Sequence, residues 1–133
     1  MKPMKAHMTK CLSHGTVMDT CDNSGAKMVK VISVKGMKTV KGRSPRCGVG
    51  DLIFVSVVKG VQGLKGTVVP AVVVRQKKEY RRLDGTRVGF EDNAAVVLKD
   101  EKGNPKGTVF KGAIAKEATE RWPGISKVAS IVV

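Results

Sequence analysis

Short apolar runs built mainly from valine recur along the chain, and each is closed off by turn residues. Valine fills 22 of 133 positions, against five leucines and five isoleucines. Its branched Cβ is stiff at χ1, which disfavours a helix and suits a pleated, half-buried surface. The runs 16–21, 28–34, 51–58, 68–74 and 93–98 are bounded by Gly, Asn, Asp or Lys clusters, so they predict at least five short strands. Most connections are too short for a crossover helix. The fold class expected is therefore mainly β, a small five-stranded antiparallel barrel rather than a parallel sheet. Leu52-Ile53-Phe54-Val55 and Ala71-Val72-Val73-Val74 offer apolar groups to both faces of a strand, so their outer faces need cover from the C-terminal segment or from another macromolecule.

The pattern changes at Gly112. Residues 113–121 are rich in helix formers and Pro123 stops them, which predicts one short helix. Ile114 and Ala118 share its inner face, while Lys116 pairs with Glu120 outside. Trp122, the only tryptophan, is expected to anchor the helix end, followed by a second helical turn over 123–127 and an apolar tail over 128–133. The length suits a single domain over 1–133: a barrel with a basic loop and a projecting hairpin over 1–111, and a helical segment packed on it over 112–133.

Lys plus Arg number 25 against 11 Asp plus Glu, a formal charge of +14. A disordered basic tail would lack the 41% hydrophobic content seen here, so the charge belongs to a folded body with an anionic partner. Residues 27–46 carry Lys27, Lys30, Lys35, Lys38, Lys41, Arg43 and Arg46 with no acid. Within them, 37–47 has no apolar periodicity and reads as a loop with outward charges. Asp84-Gly85 signals a two-residue type I′ hairpin turn. That register sets Arg82 opposite Arg87, Arg81 opposite Val88 and Glu79 opposite Phe90. Facing like charges cost a strand pair up to about 1 kcal/mol, and a polyanion reverses the sign. Arg75, Lys77 and Lys78 extend the same ribbon. With one Trp, one Tyr and three Phe, the chain lacks the interleaved rings that stack single-stranded bases. The candidate RNA-binding set is therefore Lys27, Lys35, Lys38, Lys41, Arg43, Arg46, Arg75, Lys77, Lys78, Arg81, Arg82 and Arg87, acting on phosphates and sugars.

Other chemistries find less support. His7, Cys11, His14 and Cys21 lack paired zinc-ligand spacing, so no metal is expected. Asp22-Asn23-Ser24-Gly25 reads as a turn whose Asp and Asn bond their own backbone. The glycine-rich 60–67 lacks the order of a phosphate loop and reads as a flexible connection. Glu91, Asp92 and Glu117 are scattered carboxylates with no acid/base partner. No enzyme and no cofactor are expected. The three widely spaced cysteines suggest reduced thiols in the cytoplasm, and neither a membrane span nor a signal h-region is visible. A free-standing OB-like binder of single strands remains the alternative.

The spacing Ala71-Val72-Val73-Val74, nine residues, Asp84-Gly85, four residues, Phe90, two residues, Asn93, two residues, Val96-Val97 resembles the signature of the universal large-subunit ribosomal protein 14 family. Cys21-Asp22-Asn23-Ser24-Gly25-Ala26-Lys27, Gly48-Val49-Gly50-Asp51 and Gly112-Ala113-Ile114-Ala115-Lys116-Glu117 resemble three further family segments. Residues 77–95 and 120–133 look like its archaeal and eukaryotic branch. Ala113 replaces the usual proline and Lys116 the usual arginine, which keeps the charge without the fork geometry. The resemblance implies a five-stranded barrel with a C-terminal helical segment, set on large-subunit ribosomal RNA at the face that meets the small subunit. It implies a structural role in the cytoplasmic ribosome. Implied partners are ribosomal protein 3, a 24e-type protein, small-subunit RNA across a bridge, and the anti-association initiation factor six. By the same analogy Lys116, Arg121 and Lys127 lie towards the subunit interface.

Overall fold

A computed structural model of the chain describes residues 1–133. The strands are β1 (Ala6–His7), β2 (Leu12–Ser13), β3 (Val17–Thr20), β4 (Ala26–Val34), β5 (Arg46–Cys47), β6 (Leu52–Gly60), β7 (Val68–Arg75), β8 (Tyr80–Arg82), β9 (Arg87–Val88) and β10 (Ala94–Val97). They are followed by β11 (Ala113–Ile114), helices α1 (Lys116–Arg121) and α2 (Pro123–Val128), and β12 (Ile131–Val132). The five predicted runs are β3, β4, β6, β7 and β10, and these five close into a barrel in the order β10-β3-β4-β6-β7.

One joint departs from the antiparallel expectation: β10 pairs parallel with β3, Ala94 opposite Asp19 and Ala95 opposite Thr20. Parity requires it, because an odd number of strands in a ring cannot alternate direction at every joint. The short joint is extended beyond the strands. Cys21 N–H donates to the Ala95 carbonyl at 3.2 Å, and the Asp22 carboxylate accepts the Val97 N–H at 3.0 Å and the Ser24 hydroxyl at 2.9 Å. Burial pushes the Asp22 carboxyl above its ordinary pKa. Asn23 accepts the Thr108 N–H at 2.8 Å. The 22–25 turn thus staples the barrel seam to the 105–110 segment, rather than bonding only its own backbone as expected.

Valine supplies much of the core: Val29, Val31, Val55, Val57, Val72, Val74, Val96 and Val97 are all buried. Both faces of β7 and β10 are covered, with every residue from Ala71 to Val74 and from Ala94 to Val97 buried. The C-terminal segment provides that cover at β7, where the Ala115 N–H donates to the Val74 carbonyl at 3.1 Å. Elsewhere the outer surface of the closed barrel is uncovered, leaving Val17, Ile32, Val58 and Val68 exposed.

The helix begins later than its composition predicts. Ala113 and Ile114 form a strand because the apolar tail returns as β12 and pairs parallel with them. Only from Lys116 does the chain turn helical, and Lys116 still reaches Glu120 at 3.8 Å. Trp122 is buried between the two helices, and its Nε1–H donates to the Gly50 carbonyl at 2.8 Å. The glycine-rich 60–67 is an ordered turn, with the Gly66 N–H donating to Val57 at 2.9 Å and Val57 donating to Thr67 at 3.0 Å.

Candidate nucleic-acid interface

The hairpin departs from its predicted register. Arg81, not Arg82, faces Arg87, and Tyr80 faces Val88. The cause is the turn. Gly85 alone has positive φ, at +90°, and Asp84 does not share it, so a type I′ turn is excluded. Arg82 N–H instead donates to Thr86 at 2.9 Å and Gly85 N–H to Arg82 at 3.0 Å. This is a three-residue loop closed by a left-handed glycine, with Asp84 accepting the Thr86 N–H. A one-residue slip exchanges the two faces of a strand, so it decides which arginine is free.

Arg82 consequently turns inward. Its Nε–H donates to the Glu117 carboxylate at 2.7 Å and its Nη2–H to the Val133 carbonyl at 2.7 Å. The same buried carboxylate accepts the Tyr80 hydroxyl at 2.7 Å. Hydrogen bonding to Glu117 raises the Arg82 pKa further, and burial followed by the Glu117 contact pushes the Tyr80 phenol up. Glu117, read from sequence as a scattered acid, is the anchor of this triad. The hairpin is docked on the body rather than standing free, and β1 pairs along its other edge.

Arg75 and Arg121 are also engaged. The Arg75 guanidinium lies 3.0 Å from Asp92 and donates to the Lys111 carbonyl at 3.1 Å. Arg121 meets Asp51 at 3.1 Å and donates to the carbonyls of Lys2 and Gly50. Lys35 pairs with Glu101. Arg87 is exposed and approaches Glu79 loosely, at 3.4 Å. The remaining members of the predicted set, Lys27, Lys38, Lys41, Arg43, Arg46, Lys77, Lys78 and Arg81, are exposed with no carboxylate within ion-pair distance. Lys116 and Lys127 are also exposed.

Gln76 ties the basic elements together, a residue the charge pattern overlooks. Its buried amide donates to the carbonyls of Thr9 at 3.0 Å and Lys78 at 2.9 Å, and accepts the Val49 N–H at 3.0 Å. One side chain therefore joins the amino-terminal segment, the turn that follows β5 and the Lys77-Lys78 approach to the hairpin. Gln76 follows directly on β7, where the alternation of Val72 and Val74 continued by one step points inward, and a polar residue at that position is the signal that could have found it. At the loop mouth the Arg46 N–H donates to the Met37 sulfur at 3.2 Å.

The thiols offer little chemistry. Burial pushes both Cys21 and Cys47 up to about 12, so neither is a thiolate at neutral pH. No three His, Cys, Asp or Glu side chains converge as a metal-ligand set.

Comparison with known proteins places the chain among ribosomal sequences. The family model described as ribosomal protein L14p/L23e matches residues 11–133. Large ribosomal subunit protein uL14 of Nanoarchaeum equitans is 52% identical over 133 residues, covering 100% of both chains. The proteins of the same name from Methanococcus maripaludis and Methanococcus vannielii are 49% and 48% identical over 132 residues, covering 99% of each chain.

Proposed function

The chain belongs to the ribosomal protein L14p/L23e family, and from that premise we propose how this structural component of the large ribosomal subunit holds its RNA. Two basic elements, the acid-free 38–46 loop and the Lys77-Lys78-Arg81-Arg87 ribbon, grip large-subunit ribosomal RNA by its phosphates. The observation that carries this reading is the buried Gln76 amide, which bonds Lys78 at the root of the ribbon and Val49 three residues past the loop, because two cationic elements rooted on one body suit a folded backbone rather than a flexible strand. Arg87 remains available because an exposed pair at 3.4 Å contributes little and yields to a polyanion. Arg82, Arg75 and Arg121 act through the protein, holding the ribbons rather than touching RNA.

Lys116 and Lys127 point outward on the helical face and are assigned to the intersubunit side, with small-subunit RNA across a bridge and the anti-association initiation factor six as partners there. The exposed apolar face with Val17, Ile32 and Val68 is assigned to neighbouring proteins, ribosomal protein 3 and a 24e-type protein. A free-standing single-strand binder fits less well. Trp122, Tyr80 and Phe110 are buried and Phe54 and Phe90 half-buried, which leaves no ring platform for bases.

The test is binding of the purified chain to large-subunit ribosomal RNA across a salt series. Lys38→Ala with Lys41→Ala and Arg43→Ala is expected to weaken affinity at least tenfold and to make the log–log salt slope shallower by about 2, since each phosphate left without its cation takes roughly 0.7–0.9 off the slope. Unchanged affinity and slope would overturn the reading, and tighter binding to short unpaired oligonucleotides would favour the single-strand alternative.

A further inference from the structure

The amino-terminal segment runs as a strap across parts of the fold remote from it in sequence. The Lys2 N–H donates to the Arg121 carbonyl at 3.1 Å, and the Arg121 Nε–H donates back to the Lys2 carbonyl at 3.1 Å. Ala6 and His7 then pair with Arg82 and Arg81 along the edge of β8 that faces away from β9. Beyond them the Thr9 carbonyl accepts the Gln76 amide at 3.0 Å.

Side chains along the strap alternate as an extended strand requires. Met4, Ala6 and Met8 are half-buried, while Lys5 and His7 are exposed. Both methionines meet the same turn. A Cβ at Gly50 would lie 2.6 Å from the Met4 Cε and 3.7 Å from its Sδ, and a Cβ at Gly48 would lie 2.8 Å from the Met8 Cγ. Gly50 has a φ of +85°, which favours glycine on its own account. Gly48 lies outside the left-handed region. What its missing side chain provides is room, for Met8 and for the Gln76 Oε1, which would lie 3.0 Å from the same Cβ.

An unbranched, flexible thioether suits a seat of this kind. The strap also depends on it, because a pairing of two residues is marginal by itself. The sulfur is the weak point. Attack of a methionine sulfur on a peroxide breaks the O–O bond and transfers one oxygen atom, so that the sulfur is oxidised by two electrons to the sulfoxide and hydrogen peroxide is reduced to water. The product is polar and bulkier, at contacts so close that the turn carries no side chain at either position. Half-burial leaves Met4 and Met8 open to a small oxidant, whereas Met18 inside the barrel is 3% exposed.

We propose that Met4 and Met8 form an oxidation-sensitive clasp. Peroxide converts them to sulfoxides, the strap lifts from the 48–50 turn, and the edge of β8 covered by β1 is released with its backbone donors and acceptors unpaired. Methionine sulfoxide reductases, one for each sulfoxide epimer, close the clasp again.

The test treats the full chain with hydrogen peroxide and then with dithiothreitol, which undoes reversible thiol oxidation and leaves sulfoxides in place. Mass spectrometry locates the sulfoxides, and the rate of tryptic cleavage after Lys5 reports opening of the strap. No RNA is present, so the outcome is independent of the RNA-binding reading. We expect sulfoxide at Met4 and Met8 and about tenfold faster cleavage, since proteolysis follows the open population when closing is fast. The two reductases together should restore the slow rate. Met4→Leu with Met8→Leu should show no acceleration over its own untreated rate, while Met1→Leu with Met37→Leu should respond like the parent chain. Sulfoxide at both positions with unchanged cleavage overturns the clasp. Full acceleration in the Met4→Leu, Met8→Leu chain overturns it too, as does loss of the response in the Met1→Leu, Met37→Leu chain, which keeps the test decisive where leucine itself loosens the strap. Conversion of Met1 with Met4 and Met8 left unoxidised would show that the seat shields them, and that also ends the proposal.

Discussion

The arginines of this chain divide by what faces them. Arg75, Arg82 and Arg121 each meet a carboxylate, from Asp92, Glu117 and Asp51, and each also donates to backbone carbonyls. A planar fork with five donors suits such mixed partners, which a lysine could not satisfy together. Glu117 is the most buried carboxylate of the three, 4% exposed at its side chain against 20% for Arg82. Glu117→Gln should destabilise the protein by about 2–3 kcal/mol, below the usual cost of breaking a fully buried pair because Arg82 keeps some solvent. Tyr80→Phe removes only one hydrogen bond to the same carboxylate and should cost about 1–2 kcal/mol. Urea unfolding of both single variants and the double checks this, since a shared carboxylate predicts that the two losses do not add. Equal stability of Glu117→Gln and the parent chain would show that the triad contributes nothing.

Among the elements, the sequence reveals best what repeats and worst what depends on one dihedral. Five valine-rich runs with turn residues at their ends are the five barrel strands, because burial of one or both faces writes itself into every position. The hairpin is legible as a hairpin, yet its register turns on whether Asp84 adopts positive φ, which composition does not reveal. Ala113 and Ile114 are adequate helix formers, and their strand arises from a partner at Ile131 and Val132 that no local pattern announces. Gln76 and Glu117 escape a reading of the sequence for a related reason: a single polar residue gains its role from what the fold brings to it. The seating of α2 depends on one such meeting. A Cβ at Gly103, where φ is +99°, would lie 2.6 Å from the Trp122 ring. Gly103→Ala should therefore cost about 2–3 kcal/mol through combined backbone strain and overpacking. Trp122 is the sole tryptophan, so its fluorescence reports the site directly, and a red-shifted emission with a lowered unfolding midpoint is expected. An unchanged spectrum and midpoint would mean that the ring moves aside freely.

At the scale of the whole molecule, a net charge of +14 on 133 residues sets stability and function against each other. The inward arginines are neutralised, so the excess lies on exposed side chains, among them those of the loop and the ribbon, where like charges repel in the free protein. Arg81 faces Arg87 across two short strands, and residues 38–46 contain no acid. Salt screens this repulsion, with a Debye length falling from about 30 Å at 0.01 M to about 10 Å at 0.1 M. The same ions compete for RNA phosphates. Raising sodium chloride from about 0.01 to about 0.3 M should therefore raise the thermal midpoint of the isolated chain by several degrees, of order 1 kcal/mol, while its RNA affinity falls steeply. The loop variant lacking Lys38, Lys41 and Arg43 should already melt higher at low salt and respond less to added salt, because the repulsion being screened has been removed. A midpoint that stays flat or drops with salt in the parent chain would mean that the basic surface carries no strain, and that docking on RNA relieves none.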